Sequence, residues 1–304
     1  MNDTLQEQML RTIQRTVDTL QKDVRSLRPY GAQGLELPMP NVKRLKQFVQ
    51  LCRGIIFPGY FVSDGYVSHS EKYLIGVNVE QVSLILSSEI YAALCLNQES
   101  SKRIDSTCLQ SKAHEMTISF IEGLPELRRL LNLDVEAIYD GDPAAESYGE
   151  IVFAYPGIRA LINYRVAHLL YKIGVPLLPR VITEMAHSET GIDIHPFATI
   201  GERFAIDHGT GIVIGATAII GNNVKIYQGV TLGAKSFPTD KDGNILKGEP
   251  RHPIIEDDVV IYAQATILGR IRIGKCSTIG GNVWVTKDVP AFSKIVQNNV
   301  KNDE

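Results

Sequence analysis

Three of the chain's seven histidines, His195, His208 and His252, stand between residues 190 and 255, each within a few residues of an acid or a second base. A free imidazole titrates at about 6.5, so it can take a proton from a hydroxyl or from water near neutral pH and hand it back. Such a base works best when a carboxylate fixes its ring, and Asp193 lies fifteen residues before His208 in GIDIHPFATIGERFAIDHGTGIVIG. That spacing also fits His208 as a solvated turn residue. His195 reads as a structural histidine making a local hydrogen bond. Arg251 precedes His252 in PRHP, where a planar guanidinium could hold a carboxylate or simply face solvent. Asp142, in GDPA, is either a turn residue before Pro143 or an anion for a cationic ligand. The three histidines lack the close paired spacing of a zinc site, and there is no P-loop or GxGxxG.

These residues sit in a segment of unusual period. Ile194, Ile200, Ile206, Ile212, Ala218, Val224 and Val230 recur every six residues, and Ile255, Ile261, Ile267, Ile273, Ile279 and Val285 repeat the spacing. Two residues before most of them comes a second short or apolar side chain: Ala198, Thr210, Ala216, Val259, Ala265, Ser277, Val283. A helical stripe recurs every 3.6 residues or so and a strand alternates, so neither accounts for six. A short strand followed by a corner, three times per coil, does: one aliphatic side chain per side enters a triangular prism, and coils stack at about 4.8 Å. In such a prism His208, two residues after inward-facing Ile206, falls near a corner and can face out. LGAKSFPTDKDGNILKGEPRHP interrupts the phase and, being rich in Gly, Pro, Asp and Lys, predicts an exposed excursion loop. This repeat resembles the hexapeptide-repeat, left-handed parallel β-helix.

Upstream, residues 1 to about 190 read as helical. Leu5, Met9, Ile13, Val17, Leu20, Val24 and Leu27 form one apolar stripe, suited to packing within the domain or to a subunit contact. Further helices are expected at 41–54, 82–97, 103–122 and 157–173, punctuated by Pro38, Pro40, Pro58, Pro143 and Pro156. The fold expected is therefore α+β. An all-helical domain spans 1–188, and a β-helix spans 189–290 with its excursion at 233–253. A tail follows at 291–304.

Composition is that of a globular protein, with 44% hydrophobic and 21% charged residues over 304 positions. The net charge of −3, with basic and acidic residues interspersed, predicts no nucleic-acid partner. No apolar run approaches the roughly 18 residues of a membrane span, and the N-terminus has no signal-peptide core. Cys52, Cys95, Cys108 and Cys276 are far apart and form no CxxC pair. The expectation is a cytoplasmic protein without disulfides or metal.

The segments GIDIHPFATIG, DHGTGIVIG, YQGVTLGA and PRHPII, in this order and at these separations, are similar to those of serine O-acetyltransferases. DVEAIYDGDPAAESYG followed by YRVAHLLYKIG resembles the same family's helical domain, and RGIIFPGYF its long-chain branch. The likeness covers roughly residues 130 to 290. It implies transfer of acetyl from acetyl-CoA, as co-substrate with no tightly bound cofactor, to the hydroxyl of L-serine, giving O-acetyl-L-serine for cysteine synthesis. By matching position, His208 would be the general base and Asp193 its orienting partner. Asp142 and Asp207 would hold the serine ammonium, and Arg251 and His252 its carboxylate. Gly233, Ala234 and Ala263 would admit the pantetheine arm, with Lys287 near a phosphate. The resemblance further implies a homotrimer or dimer of trimers, and L-cysteine as feedback inhibitor.

Three departures from the family pattern stand out. Ala216 replaces a glutamate common in the family, the 235–250 loop is long, and the ending VQNNVKNDE lacks the terminal isoleucine that docks into the sulfhydrylase, so that complex is not expected. Three other readings compete: a hexapeptide acyltransferase acting on a sugar, antibiotic or amino-acid derivative, a zinc-dependent carbonic anhydrase on the same prism, and a non-catalytic scaffold. Acceptor profiling and zinc content separate them.

Overall fold

In the computed structural model, residues 2–23, 38–61, 71–97, 105–237 and 239–297 are described. Val24, Leu27 and the tail from residue 298 lie outside them. Eight helices come first: α1 (Asn2–Asp23), α2 (Val42–Ile56), α3 (Glu71–Leu96), α4 (Ser106–Glu122), α5 (Leu124–Gly141), α6 (Tyr148–Ala154), α7 (Pro156–Lys172) and α8 (Leu178–Thr190). Helices α2, α3 and α4 pack together, as do α7 and α8. By length and composition alone α3 could cross a membrane, but Val82, Leu86, Ile90 and Ala93 bury one face in the bundle. Asn41 caps α2 by accepting from the Lys43 and Arg44 amides, and Ser147 caps α6 by accepting from Glu150. The apolar stripe of α1 is exposed along its described length, including Leu5, Met9, Ile13, Val17 and Leu20.

From Asp193 onward fourteen short strands form a parallel β-helix with three faces. Face A stacks β1 (Asp193–Ile194), β4 (Val213–Ile214), β7 (Thr231–Gly233), β10 (Thr266–Leu268) and β13 (Trp284–Val285). Face B stacks β2 (Thr199–Ile200), β5 (Ile219–Ile220), β8 (Ile254–Ile255) and β11 (Arg272–Ile273). Face C stacks β3 (Ala205–Asp207), β6 (Lys225–Tyr227), β9 (Val260–Ile261), β12 (Thr278–Ile279) and β14 (Lys294–Ile295). All named pairings are parallel, and every coil gives its aliphatic residues to one continuous core.

The register corrects the expected phase. Asp193 pairs with Val213, twenty residues on, whereas Val213 pairs with Thr231, eighteen on. The first coil is thus two residues longer than the regular one. The strand centres after it are Ile214, Ile220, Ile226 and Leu232, two residues beyond Ile212, Ala218, Val224 and Val230. The period of six ran on unbroken because each side buries two residues spaced by two, so a two-residue insertion places one inward site over the other. Thr210 and Ala216, the short residues two before Ile212 and Ala218, are exposed and half-buried.

The insertion falls at the corner from face C to face A, in Asp207-His208-Gly209-Thr210-Gly211. His208, Gly209 and Gly211 all have positive φ there. Gly209 is required: at φ +97, a Cβ would lie 2.5 Å from Ile192 Cδ1.

A buried ion pair docks the helices on this first coil. Asp134 of α5, fully buried, accepts from Arg165 Nε at 2.5 Å and a second guanidinium nitrogen at 2.8 Å, and from the Phe204 amide at 3.0 Å. Arg165 also donates to Gly201 O at 2.8 Å, and Tyr164 Oη donates to Ala198 O at 2.7 Å.

Candidate active site

His208 stands at the expanded corner with its side chain 76% exposed, its Nε2 3.7 Å from Asp207 Oδ1. Asp207 ends β3 and accepts from Lys225 Nζ at 2.8 Å, one coil above. Lys225 also donates to Gly141 O at 2.7 Å and lies 4.5 Å over the Tyr227 ring. Burial pulls its ammonium down, but hydrogen bonds to Asp207 and Tyr227 more than offset this and leave its pKa raised. Lys225 thereby ties the end of α5 to the corner.

Asp142 is the C-cap of α5. One of its oxygens accepts from the Ala144 amide at 2.8 Å, and the other from Tyr155 Oη at 2.7 Å. These two bonds, with help from Lys225 and His208, hold its carboxyl below the ordinary carboxylate range. The same bond pushes the Tyr155 hydroxyl up to about 12, so it remains a donor at neutral pH. Asp142 is therefore both the turn residue and a fixed anion near His208.

Arg251 and His252 stand at a different corner, from face A to face B, where the excursion loop re-enters the prism. Thr217 organises them. Its hydroxyl accepts from the Arg251 amide at 2.9 Å and the His252 amide at 3.1 Å. Its own amide donates to His252 Nδ1 at 3.1 Å, with Oγ1 2.8 Å from the same nitrogen. Nδ1 is thus an acceptor, which puts the proton of the neutral ring on Nε2. Burial, followed by the Arg251 and Arg270 charges, lowers this imidazole to about 4. The ring occupies space that only a glycine leaves, since a Cβ on Gly215 would come within 1.9 Å of it. Arg251 Nε is buried without a hydrogen-bond partner among the described residues, and the guanidinium lies 5.9 Å from the Phe237 ring centre.

Asp193 does not contact His208 within one chain. Its oxygen lies 3.6 Å from a guanidinium nitrogen of Arg180, in the same electrostatic neighbourhood as His195, Arg251 and His252. The Phe197 amide donates to His195 Nδ1 at 3.2 Å, a local structural bond, and burial together with Arg180 lowers that ring to about 4. Glu184, His187 and Asp193 could together offer metal ligands, but Arg180 pairs with both Glu184 and Asp193 and supplies the positive charge already.

The residues assigned to the acyl donor divide in the same way. Gly233 ends β7 and Ala234 follows it where the loop leaves for face B, and exposed Lys287 follows β13 at the corresponding corner. Ala263 lies between β9 and β10, on the edge that carries His208. One prism edge thus bears His208, Asp207, Asp142 and Ala263, and another bears Arg251, His252, Gly233, Ala234 and Lys287, with the width of face A between them. Sequence reasoning did not find Lys225, Tyr155, Thr217 or Arg180. The one available signal was stacking, which sets Tyr227 over Asp207 once the two-residue slip is known.

No protein-family model matches the chain. A plasmid-borne serine acetyltransferase of Synechococcus elongatus is 50% identical over 268 residues, covering 88% of this chain and 84% of the relative. The chain belongs to the serine acetyltransferase family. Among solved structures, Entamoeba histolytica serine acetyltransferase 1 in complex with L-cysteine superposes with TM-score 0.71 at 35% identity, covering 85% of this chain and 87% of that one. The Brucella abortus serine acetyltransferase in complex with coenzyme A gives TM-score 0.52 at 32% identity, with 72% and 82% covered.

Proposed function

We propose that this serine acetyltransferase builds its site where the His208 edge of one copy meets the Arg251 edge of the next. The observation that carries this reading is the division of one substrate's contacts between two edges of a single prism. An amino-acid zwitterion needs an anionic and a cationic contact, and one copy presents Asp142 and Asp207 while the other presents Arg251. Two prisms can bring the edges together; one cannot. A closed ring of three copies repeats that junction without leaving an open edge.

In this arrangement His208 removes the proton from the serine hydroxyl as its oxygen attacks the thioester carbonyl of acetyl-CoA. The tetrahedral intermediate collapses with loss of the CoA thiolate, which recovers the proton from the imidazolium. The products are O-acetyl-L-serine and free CoA. Asp142 and Asp207 hold the ammonium, Arg251 the carboxylate, and the neutral His252 offers its Nε2 proton as a further donor. Asp193 reaches His208 only from the neighbouring copy, together with the Arg251 edge, and there orients the ring. Gly233, Ala234, Ala263 and Lys287 line the groove for acetyl-CoA, whose place as co-substrate is supported by the coenzyme A complex of the Brucella abortus relative.

L-Cysteine presents the same ammonium and carboxylate, and the Entamoeba histolytica relative is described in complex with it. Its thiol would lie beside His208, where a partly formed thiolate pairs with imidazolium. Cysteine therefore competes with serine.

Thiol release from acetyl-CoA, measured with L-serine, homoserine, threonine and amino sugars, tests the acceptor. Strong preference for L-serine is expected. Comparable rates with an amino sugar would overturn the assignment.

A further inference from the structure

A second charged cavity lies in the helical domain, where α2, α7 and α8 meet, and it shares no residue with the site above. Lys46, Arg53, Arg159, Ser188 and Glu189 contribute to its wall. Arg53 is only 8% exposed. Its guanidinium lies 4.2 Å from the Phe61 ring centre and donates to Gln50 Oε1 at 3.2 Å, a neutral acceptor. Its Nε has no partner among the described residues. Arg159 donates one nitrogen to Glu189 Oε1 at 2.7 Å, while its buried Nε is likewise unpartnered. Burial, and then the charge of Arg159, lowers the pKa of Arg53, and the nearby Glu189 carboxylate, which makes no hydrogen bond to it, only partly offsets them.

Burying a guanidinium with no directly bonded carboxylate is costly, and leaving two of its class with orphaned donors adds to that cost. The wall carries three cations, Lys46, Arg53 and Arg159, against the single carboxylate of Glu189. A bound group of charge about −2, with several acceptor oxygens, would neutralise this excess. Ser188 adds a hydroxyl donor. We propose that this cavity is a binding site for a divalent tetrahedral oxyanion, the chemistry shared by inorganic phosphate, inorganic sulfate and the phosphate of a small monoester. Bound there, the anion bridges α2 to α7 and α8 and so braces the helices that abut the first coil.

Thermal unfolding of the full chain tests this, in sodium sulfate, sodium phosphate or glycerol phosphate, each against sodium chloride at matched ionic strength. The expected result is a saturable rise in Tm for the wild type and for Arg251→Ala, which removes an anion contact in the serine site. Lys46→Gln, at an exposed position that leaves folding intact, and Arg159→Gln should raise the half-saturating concentration about tenfold or more. Similar half-saturation for sulfate and phosphate supports a site for the inorganic ion, and tighter binding of glycerol phosphate supports one for a phosphomonoester. A rise no greater than that in chloride would overturn the proposal. So would an equal rise in Lys46→Gln and the wild type, which marks a general salting effect, or a rise lost only in Arg251→Ala.

Discussion

If each junction takes His208 from one copy and Arg251 from the next, two dead variants should rescue each other. His208→Ala removes the base and should cost about 10²–10⁴-fold in turnover. Arg251→Ala leaves the base but removes the carboxylate contact, and should cut kcat/KM by a similar order through lost binding. The first chain still has an intact Arg251 edge, and the second an intact His208 edge. When the two are co-expressed in equal amounts and assemble at random in a closed ring, a junction is competent if its His208 side comes from Arg251→Ala and its Arg251 side from His208→Ala. Each condition holds for about half of the positions, so about a quarter of junctions are wild type at both edges. Recovered activity should approach about a quarter of the wild-type value, at least an order of magnitude above either variant alone. Thiol release from acetyl-CoA measures it on the unfractionated mixture; co-purification through two different affinity tags keeps only mixed rings, in which one junction of the three is competent, and should raise the value to about a third. Mixing the variants after folding should restore activity only as fast as subunits exchange. A purified hetero-oligomer no more active than its parents would refute the two-copy site, and would require His208 and Arg251 of one chain to meet.

Asp134→Ala should destabilise the chain by about 3–5 kcal/mol in urea unfolding, because it strands the buried Arg165 guanidinium. Asp134→Leu combined with Arg165→Met should recover most of the loss, and a cost below about 1 kcal/mol for the single change would contradict the docking role. His195 and His252 sit at about 4 in the folded chain against about 6.5 unfolded, so the stability tied to their neutral rings is complete above pH 6.5 and declines as pH falls toward 4. Thermal unfolding between pH 6.5 and 5 should show up to about two protons taken up on unfolding, reduced by about one in His252→Gln; a flat profile would contradict this. Cysteine inhibition should fade as serine approaches saturation, and inhibition undiminished there would place cysteine elsewhere.

The repeat was legible in the sequence because burial in a prism is periodic: Ile194, Ile200 and Ile206, like Ile255 through Val285, need no partner beyond the neighbouring coil to declare their side. The excursion loop was legible for the converse reason, since its Gly, Pro, Asp and Lys have no inward position to fill. Local patterning also marked α2, α4 and α7 to within a few residues at most of their ends. It did not single out α5 or α8, although their buried residues, Leu124, Leu127, Leu131, Val135 and Ile138 in the first and Leu178, Ile182 and Ala186 in the second, do recur three and four apart. The two-residue expansion at Asp207–Gly211 was invisible because both inward positions on a side accept the same aliphatic residues. Only strand register reveals it. Residue type marked His208, Asp142 and Arg251 as capable of chemistry, yet which of them share an edge depends on corners, and corner geometry is a property of stacked coils. Lys225 joined the site for the same reason, since its link to Asp207 and Gly141 spans a coil and a domain boundary. The sequence by itself determined the prism, the loop and the chemical inventory, because each follows from local period or side-chain type. Tertiary structure alone decided that the inventory divides between two edges, because that depends on where each corner falls around the prism axis.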